Sequence, residues 1–290
     1  MADMKERFFI ITNDYKDPAL TVTGRVKAFL DREGVPYEGA LLSALRQKIQ
    51  GTEADTVIPD DTGICLVLGG DGTMLEAAHF LHGREIPLLG VNLGNIGYLT
   101  EVEAQEVESA LSRVLAGSYT TDHRMMIEGR VFRGNDTQPV AVWQSLNDIV
   151  IARYGSIRML RLHIEVNGSA LCDYHADGVV LSTPTGSTGY NMSAGGPIVE
   201  PVARLLLLTP ISAHTLSPRS IVLSPDDRIR VTIQATHEHE EAEAEISFDA
   251  AHTERMRPGD SIEIFEAKRA TRIIRLEQTS FLDVLHSKLV

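Results

Sequence analysis

The segment of residues 64–78, ICLVLGGDGTMLEAA, places one acidic side chain among glycines and is the clearest candidate for chemistry in this chain. Its apolar start is typical of a strand buried in a parallel sheet, and its apolar spacing after the glycines predicts a helix. At the joint, Gly69, Gly70 and Gly72 let the backbone approach a ligand closely, and the helix N-terminus favours a phosphate. A carboxylate beside a phosphate is electrostatically unfavourable unless the carboxylate holds a divalent cation or accepts a proton. Asp71 therefore indicates phosphoryl chemistry.

A second interpretation of this segment is a tight turn in which Asp71 only caps the following helix. The segment also differs from a Walker A loop, because the lysine of the G-x-x-x-x-G-K-[ST] pattern is missing. Backbone amides, a metal ion and distant basic residues would then have to neutralise the charge of a phosphate. The pattern thus disfavours the P-loop NTPases.

Residues 176–197, ADGVVLSTPTGSTGYNMSAGGP, are rich in hydroxyl groups and glycine. The hydroxyl groups include those of Thr183, Thr185, Ser187 and Thr188, and the glycines beside them are Gly186 and Gly189. Such compact hydroxyls suit donation to phosphate oxygens or ribose hydroxyls without steric bulk. Tyr190 could stack on a base or a nicotinamide ring. The competing interpretation is a Ser/Thr-rich turn followed by a capped helix.

Two shorter segments add polar groups to these candidates. In SLNDIV, Asn147 and Asp148 stand in an apolar β run, where their side chains need partners, and a ligand amine or diol would serve. A bulge or a turn at a strand end explains these two residues equally well. In GVNLGNIGYLT, residues 90–100, Asn92 lies among glycines after a predicted strand, which indicates a second glycine loop.

The elements that must position these groups alternate between strand and helix in the first part of the chain. The pattern predicts strands at residues 7–12, 64–68 and 87–91, and helices at residues 19–33, 73–81 and 104–116. This order predicts a doubly wound parallel sheet, whose ligands bind at the carboxyl ends of the strands. Asp71 lies at one of those ends.

From about residue 125 onward, β patterns dominate and predict an antiparallel β-sandwich. They are MIEGRVF, VAVWQSLNDIVIA, RLHIEVNG, GVVLST, SIVLS, RIRVTIQA, AEISFD and SIEIFEA. The acidic segment HEHEEAEAE, residues 237–245, is interpreted as a solvated hairpin rather than a metal site, because no ligand cluster completes such a site. FLDVLHSKL, residues 281–289, has apolar residues at helical spacing and predicts a terminal helix.

The length, net charge and cysteine content of the chain exclude several classes of protein. The chain has 290 residues, 43% of them hydrophobic, and a formal net charge of −13, which predicts a soluble globular protein and argues against nonspecific nucleic-acid binding. Its two cysteines form neither a disulfide framework nor a CxxC metal site. The amino terminus lacks the apolar region of a signal peptide, and no apolar run is long enough for a membrane span. A cytoplasmic location is expected.

Taken together, these motifs resemble those of the NAD kinases, which phosphorylate the 2′-hydroxyl of the adenosine ribose of NAD to give NADP. The matching segments are GGDGT at residues 69–73, GVNLGNIGYLT at residues 90–100, LND at residues 146–148 and DGVVLSTPTGSTGYNMSAGGP at residues 177–197. They occur in the family's order and at similar spacing, so the resemblance covers nearly all of the chain. GGDGT alone is shared with diacylglycerol, sphingosine and 6-phosphofructokinase relatives, whereas the TPTGST-type segment distinguishes NAD kinases from them.

The resemblance implies a Rossmann-like parallel α/β amino domain and a β-sandwich carboxyl domain. The expected boundaries are residues 1–122, completed by residues 270–290, and residues 123–269. NAD is expected to bind in the cleft between the domains. ATP with a divalent cation, Mg²⁺, is the expected donor, and some bacterial members also use polyphosphate. A homotetramer, or a homodimer, is the implied assembly, with neither nucleic acid nor a membrane as a partner.

The resemblance also implies roles for individual residues. By similarity, Asp71 is the base that accepts the 2′-hydroxyl proton, and Asn147 and Asp148 hold the adenosine half of NAD. Asp177 lies at a position that contacts NAD. The other residues expected to bind the nucleotides are Gly69, Gly70, Gly72, Thr73, Asn92, Thr185, Ser187, Thr188, Gly189, Tyr190 and Ser193. The motifs identify no metal ligand.

The chain departs from the family pattern at three positions. Gly189 replaces the usual alanine of GSTAY, which should loosen that loop without removing a functional group. Ala250 follows Asp249 where DG is common, and Ala213 precedes His214 where proline is frequent. The roles of Asp249 and His214 therefore stay open, and His214 is equally well explained as a structural histidine. Arg124 and Arg219 are candidate phosphate partners, although surface salt bridges explain them equally well.

Two other functions remain open from the sequence. One is a lipid or sugar kinase of the GGDGT superfamily, although no basic amphipathic segment suggests membrane docking. The other is a nonenzymatic dinucleotide-binding sensor. A sensor would tolerate loss of the acidic residue, and the presence of Asp71 favours catalysis.

Overall fold

The computed structural model describes residues 7–49, 58–81, 84–94, 97–155, 158–214, 219–235, 243–276 and 281–289. The chain divides into two compact units. The first comprises Met1–His123 and Ala270–Val290, and the second comprises Arg124–Arg269.

The first unit is built on a mostly parallel sheet. Its strands are β1 (Arg7–Thr12), β2 (Tyr37–Leu41), β3 (Thr62–Gly69), β4 (Leu88–Asn92), β5 (Val102–Glu103), β6 (Thr120–Arg124) and β19 (Thr271–Arg275). The strand order is β2-β1-β3-β4-β19-β6, with β5 paired to β4. The helices are α1 (Thr21–Glu33), α2 (Leu42–Ile49), α3 (Asp71–Phe80), α4 (Val107–Leu115) and α6 (Phe281–Leu289), and a 3₁₀ turn spans Ala104–Glu106.

The register of the three central strands brings their carboxyl ends to one edge of the sheet. Thr12 pairs with Leu68 across β1 and β3, and Gly69 pairs with Asn92 across β3 and β4, all in parallel. Strand β3 is apolar and almost entirely buried, because helices cover a doubly wound sheet on both faces. The loops that follow Thr12, Gly69 and Asn92 therefore leave the sheet side by side.

The second unit consists of two antiparallel sheets packed around one apolar core. Its strands are β7 (Ile127–Phe132), β8 (Ala141–Ser145), β9 (Asp148–Tyr154), β10 (Leu160–Val166), β11 (Ser169–Ala176), β12 (Gly178–Ser182), β13 (Leu206–Ile211), β14 (Ile221–Leu223), β15 (Ile229–Ile233), β16 (Glu243–Phe248), β17 (His252–Met256) and β18 (Ser261–Glu266). The sheet orders are β11-β10-β15-β18-β7-β8 and β14-β13-β12-β9-β16-β17. A 3₁₀ turn at Thr185–Thr188 and the short helix α5 (Tyr190–Ser193) follow β12.

The predicted fold class, a Rossmann-like parallel α/β part with a β-sandwich, is confirmed. The terminal helix predicted over FLDVLHSKL is present as α6. Of the acidic segment at residues 237–245, residues 237–242 lie outside the described residues, and residues 243–245 belong to β16. Within the described ranges, no helix has the length and apolarity needed to cross a membrane.

Two predicted helix starts are shifted. Helix α1 begins at Thr21 rather than at residue 19, because Leu20 adopts a left-handed φ of 52° and the Asp17 carboxylate accepts the N–H groups of Thr21 at 2.8 Å and Thr23 at 2.9 Å. Helix α3 begins at Asp71 rather than at residue 73, so Gly72 lies inside the helix.

The β run over VAVWQSLNDIVIA is not one strand. It separates into β8 and β9 at Leu146 and Asn147. Asn147 and Asp148 therefore lie at a strand end, a position that is compatible with a ligand contact.

Candidate active site

The Asp71 carboxylate is bound by the loop that follows β4. Its Oδ2 accepts the Tyr98 N–H at 2.7 Å, and its Oδ1 accepts the N–H groups of Leu99 at 3.0 Å and Thr100 at 3.3 Å. Gly70 is the N-cap residue of α3, and its N–H donates to Thr73 Oγ1 at 3.5 Å. The interpretation of Asp71 as a helix cap is therefore wrong: its side chain joins two glycine-containing loops.

Two glycines create the space for this arrangement. A Cβ atom on Gly97 would overlap the Asp71 carboxylate, and one on Gly69 would overlap the Thr73 side chain. By contrast, a Cβ atom on Gly72 would meet nothing within 4 Å. Packing within the protein thus requires glycine at the first two positions, whereas at Gly72 the free space faces outward.

Polar side chains connect the loops at the carboxyl edge of the sheet. The Asn13 amide donates to Thr73 Oγ1 at 2.9 Å, which ties the loop after β1 to α3. Asn92 is buried, and its side chain donates to the Gly94 carbonyl at 2.7 Å and accepts the Gly94 N–H at 3.2 Å. Asn92 therefore shapes its own loop.

In the second unit, Asp249 holds the backbone at the junction of β8 and β9. Its Oδ2 accepts the Leu146 N–H at 2.6 Å, and its Oδ1 accepts the N–H groups of Asn147 and Asp148, each at 2.9 Å. The sequence left the role of Asp249 open. Its carboxylate satisfies three successive N–H groups at a point where the strand pairing is interrupted.

Asp148 is buried, with 7% of its surface exposed. Burial, together with the neighbouring Asp249 charge, raises the pKa of the Asp148 carboxyl to about 7, against an opposing hydrogen bond from the Tyr190 N–H. A Cβ atom on Gly189 would lie 3.5 Å from Asn147 Nδ2 and 3.6 Å from Asp148 Oδ2. Both polar side chains therefore lie beside the turn that carries Gly189 and Tyr190.

Most hydroxyls of the segment after β12 are bound to backbone groups. Thr183 Oγ1 donates to the Leu146 carbonyl at 2.6 Å, and Ser187 Oγ both donates to the Val199 carbonyl at 3.1 Å and accepts its N–H at 3.0 Å. Thr188 Oγ1 contacts the Thr185 carbonyl at 3.4 Å. These bonds favour a structural part for Ser187, whose side chain is fully buried.

Thr185 and Tyr190 differ from their neighbours. Thr185 Oγ1 is buried and has no hydrogen-bond partner among the described residues, so its hydrogen-bonding capacity is unused within them. Tyr190 is 44% exposed, although the adjoining Asn191 is fully buried. Asn191 Nδ2 donates to the Ser187 and Pro197 carbonyls at 3.2 and 3.0 Å, and its Oδ1 accepts Thr209 Oγ1 at 2.7 Å.

The remaining candidates have surroundings of their own. Asp177 forms an ion pair of 2.7 Å with Arg153 on β9. His214 and Arg219 are exposed, and the His214 N–H donates to the His175 carbonyl at 2.7 Å. The exposed Ser193 ends α5. Arg124 is only 3% exposed, so its side chain is buried rather than at the surface.

Each unit thus gathers its own set of predicted residues. In the first unit, the glycine segment of residues 69–73, Asn92 and the loop carrying Tyr98 meet around Asp71. In the second, Asn147, Asp148 and the turn of residues 185–190 meet beside Asp249. Across the described ranges, no group of three or more His, Cys, Asp or Glu side chains could hold a metal ion.

Asn13, which the motifs did not single out, contacts the glycine segment through Thr73. The sequence contains a signal for Asn13, because the polar segment NDYKD directly follows the strand predicted at residues 7–12, which is present as β1. The rule that ligands bind at the carboxyl ends of parallel strands applies to β1 as it does to β3 and β4.

Comparison with known proteins follows the same division of the chain. A family model described as the ATP-NAD kinase N-terminal domain matches residues 8–119, and one described as the ATP-NAD kinase C-terminal domain matches residues 146–276. A protein of Agathobacter rectalis named NAD kinase is 44% identical over 285 residues, covering 98% of each chain. One of Lachnoclostridium phytofermentans with the same name is 39% identical over 284 residues, again covering 98% of each.

Two solved structures share the fold. The yeast NADH kinase complexed with NADH superposes with a TM-score of 0.87 at 22% identity, covering 99% of this chain and 88% of that one. An NAD kinase from Archaeoglobus fulgidus in complex with ATP gives a TM-score of 0.77 at 21% identity, covering 98% and 99%.

Proposed function

The chain belongs to the NAD kinase family, and we propose that it transfers the terminal phosphoryl group of ATP to the 2′-hydroxyl of the adenosine ribose of NAD, forming NADP. The observation that carries this proposal is the placement of Asp71. Its carboxylate stands at the N-terminus of α3 beside the glycine segment, where three backbone N–H groups hold it.

The proposed role of Asp71 is that of general base. An unperturbed ribose hydroxyl is a poor nucleophile, so its proton must be accepted as the phosphoryl group is transferred. A carboxylate offers about four lone-pair positions. The three N–H donors occupy three of these positions and leave about one lone-pair position for the hydroxyl proton. They also fix the direction in which the free lone pair points.

Asn147 and Asp148 are proposed to hold the adenosine half of NAD. Asp249 fixes their backbone, and their side chains lie beside Gly189 and Tyr190. The unpartnered hydroxyl of Thr185 supports a polar contact in the same unit. Buried polar groups of this kind usually need partners, which a ligand diol or amine would supply.

ATP with a divalent cation is the proposed donor, with polyphosphate as a possible substitute. The A. fulgidus NAD kinase was solved with ATP. Mg²⁺ is ordinarily held by substrate phosphates and waters with only one or two protein carboxylates, so a cation that arrives with the nucleotide needs few ligands from the protein. The cation would neutralise phosphate charge.

The acceptor is proposed to be NAD, and NADH is the alternative. The yeast relative is named an NADH kinase and was solved with NADH, whereas the bacterial relatives are named NAD kinases. The higher identity to the bacterial proteins supports NAD.

The deciding experiment is incubation of the purified protein with ATP and Mg²⁺ and with either NAD or NADH. NADP or NADPH is detected by a coupled dehydrogenase specific for the phosphorylated cofactor. Asp71→Asn is assayed in parallel, with Asp60→Asn as the matched control, because Asp60 is a fully exposed carboxylate of the same unit. General-base catalysis contributes roughly 10²- to 10⁴-fold, so Asp71→Asn should lose at least about 100-fold in kcat.

Each outcome decides one part of the proposal. Wild-type protein that binds NAD and ATP but forms no phosphorylated product would favour the sensor interpretation. If Asp71→Asn retains more than about a tenth of the wild-type kcat, Asp71 is not the base. Binding constants for both nucleotides, measured on the variant, separate a chemical role from disruption of the loop at residues 98–100.

A homotetramer is the proposed assembly, on the basis of the family resemblance alone. Gel filtration with light scattering measures the mass in solution against the 31.8 kDa of one chain. A monomer would contradict the proposal, and a homodimer would replace it.

A further inference from the structure

Lys16 extends across the glycine segment from the neighbouring loop. A Cβ atom built on Gly70 would lie 2.7 Å from Lys16 Nζ, and one built on Gly94 would lie 3.5 Å from it. The ammonium group therefore rests against the two glycine-containing loops that follow β3 and β4. At Gly70 a Cβ atom would displace the ammonium group, whereas at Gly94 it would make only van der Waals contact.

The loop that carries Lys16 is anchored on both sides of that residue. The Asn13 carbonyl accepts the N–H groups of Lys16 at 3.0 Å and Asp17 at 2.9 Å, and Asn13 Oδ1 accepts the Tyr15 N–H at 3.1 Å. Asp17 is buried and binds the first turn of α1, including Thr23 Oγ1 at 2.7 Å. The backbone at Lys16 is thus held in place, while its side chain stays exposed.

The surroundings of the Lys16 ammonium carry positive rather than negative charge. It lies beside the N-terminus of α3, where the helix dipole and free N–H groups present positive charge. Among the residues that the structure describes, no carboxylate forms an ion pair with Lys16. The Asp71 carboxylate, one residue beyond Gly70, is occupied by the backbone of residues 98–100. An anion bound at the loop would relieve the repulsion.

A cavity of about 350 Å³ opens beside this group. Its lining includes Lys16, Asn92 and Gly94, with Glu103 as a carboxylate on the wall. Its volume lies within the range of small-molecule sites. It is therefore large enough for several phosphate groups, and Lys16 supplies positive charge on its lining.

We propose that the Lys16 ammonium binds the terminal phosphate oxygens of the phosphoryl donor. This assignment rests on the proposed function. GGDGT lacks the lysine that a Walker A loop carries within its own sequence, and here a lysine from the adjacent strand end occupies a comparable place. A compact ammonium with three rotatable donors suits phosphate oxygens whose positions change during transfer.

The test compares Lys16→Met, Lys16→Arg and the control Lys27→Met, which removes an equal charge from an exposed position on α1. Affinities for ATP, AMP and NAD are measured by calorimetry, and KM is measured separately for ATP and NAD. Lys16→Met should weaken ATP binding about 10- to 100-fold, the range for a hydrogen bond to a charged group. Binding of AMP, which lacks the terminal phosphates, and of NAD should change less than about threefold. Lys16→Arg should restore most of the ATP affinity, and Lys27→Met should match wild type.

Several results would overturn the assignment. Equal losses for ATP and AMP would show that Lys16 does not act on the terminal phosphates, and a selective loss of NAD affinity would assign it to the acceptor. An unchanged ATP affinity in Lys16→Met would remove it from the site. If wild type shows the expected Lys16-dependent ATP binding but makes no NADP, the proposed function fails while the phosphate contact stands.

Discussion

Asp249 and Asp148 are joined by two hydrogen bonds: the Asp249 side-chain Oδ1 accepts the Asp148 N–H at 2.9 Å, and the Asp249 backbone N–H donates to the Asp148 carbonyl at 3.1 Å. The same carboxylate also accepts the N–H groups of the two preceding residues. The strand break that carries the proposed adenosine contacts is therefore held by a residue about 100 positions away in the chain.

Asp249→Ala should destabilise the protein by about 1 to 3 kcal/mol, because it removes an ionised acceptor from partly buried N–H groups. Urea unfolding measures the change in unfolding free energy. Asp173→Ala is the control, since Asp173 pairs with His163 at the surface and should cost less than about 1 kcal/mol. A loss in Asp249→Ala no larger than that of the control would contradict the structural role.

Ala250→Gly should stabilise the protein. Ala250 has φ 56°, in the left-handed region that costs a residue with a Cβ atom about 1 to 2 kcal/mol. Glycine also increases the entropy of the unfolded chain, so we expect a net gain of about 0.5 to 1 kcal/mol, measured as a higher Tm. Ala251→Gly changes an adjacent residue without a positive φ and should lower the Tm instead. Parallel shifts in the two variants would show that the backbone strain at Ala250 is negligible.

The titration of Asp148 should make stability depend on pH. Its pKa is about 7 in the folded protein against an ordinary 3.8, so the folded state holds an additional proton between those values and stability falls as pH rises through that window. Asp148→Asn removes this dependence. The stability of the variant relative to wild type should therefore rise between pH 4 and pH 8, by at most about 4 kcal/mol.

Urea unfolding at several pH values checks the Asp148 prediction, with Asp60→Asn as the exposed control. Curves for wild type and Asp148→Asn that run parallel from pH 4 to pH 8 would mean that the pKa of Asp148 is the same in the folded and unfolded states, which would contradict the prediction.

Gly72→Ala should separate stability from activity. A Cβ atom on Gly72 meets nothing within 4 Å, and alanine favours a helix by up to about 1 kcal/mol, so the Tm should rise. The added methyl would stand where a phosphate is proposed to approach α3, so kcat/KM should fall. Gly24→Ala, at an equally open position in α1, should raise the Tm with unchanged kcat/KM. Wild-type kcat/KM in Gly72→Ala would place the phosphates elsewhere.

Gly97→Ala should disable the Asp71 site without removing the carboxylate, because the new Cβ atom overlaps that group. We expect kcat to fall by at least about 100-fold, similar to the loss of general-base catalysis. When Gly97→Ala is made in an Asp71→Ala background, activity should fall little further. The loss of stability should be smaller than the loss that Gly97→Ala causes in the wild-type protein. Additive losses in the double variant would show that Gly97 acts independently of Asp71.

Hydrophobic periodicity was sufficient to predict the strands around the first site. Strands β1, β3 and β4 are short apolar runs buried in a parallel sheet, and glycine punctuation marked where they end. The break after Ser145 could not be predicted in the same way, since the apolar pattern continues across it. That break depends on Asp249, and a contact between residues so distant in sequence leaves no local pattern.

Strand β11 and the orientation of hydroxyls show a second limit of the sequence. Most of β11 is exposed or half-exposed, so it lacks the alternation that identifies a half-buried strand. Ser187 and Thr185 are both hydroxyl residues in one short turn, yet one is bound to Val199 and the other has no described partner. The rotation of the 3₁₀ turn about its axis decides which hydroxyl faces the protein. Amino-acid composition does not determine that rotation.

Asn191 has a consequence for how tightly a nucleotide can bind. Its amide joins Ser187 and Pro197 of the hydroxyl-rich segment to each other and to Thr209 on β13. The conformational entropy of residues 187–197 is therefore lost when the chain folds, before any ligand arrives. A nucleotide that binds as proposed would meet a surface that is already ordered, and its association free energy would not be reduced by the cost of arranging a flexible loop.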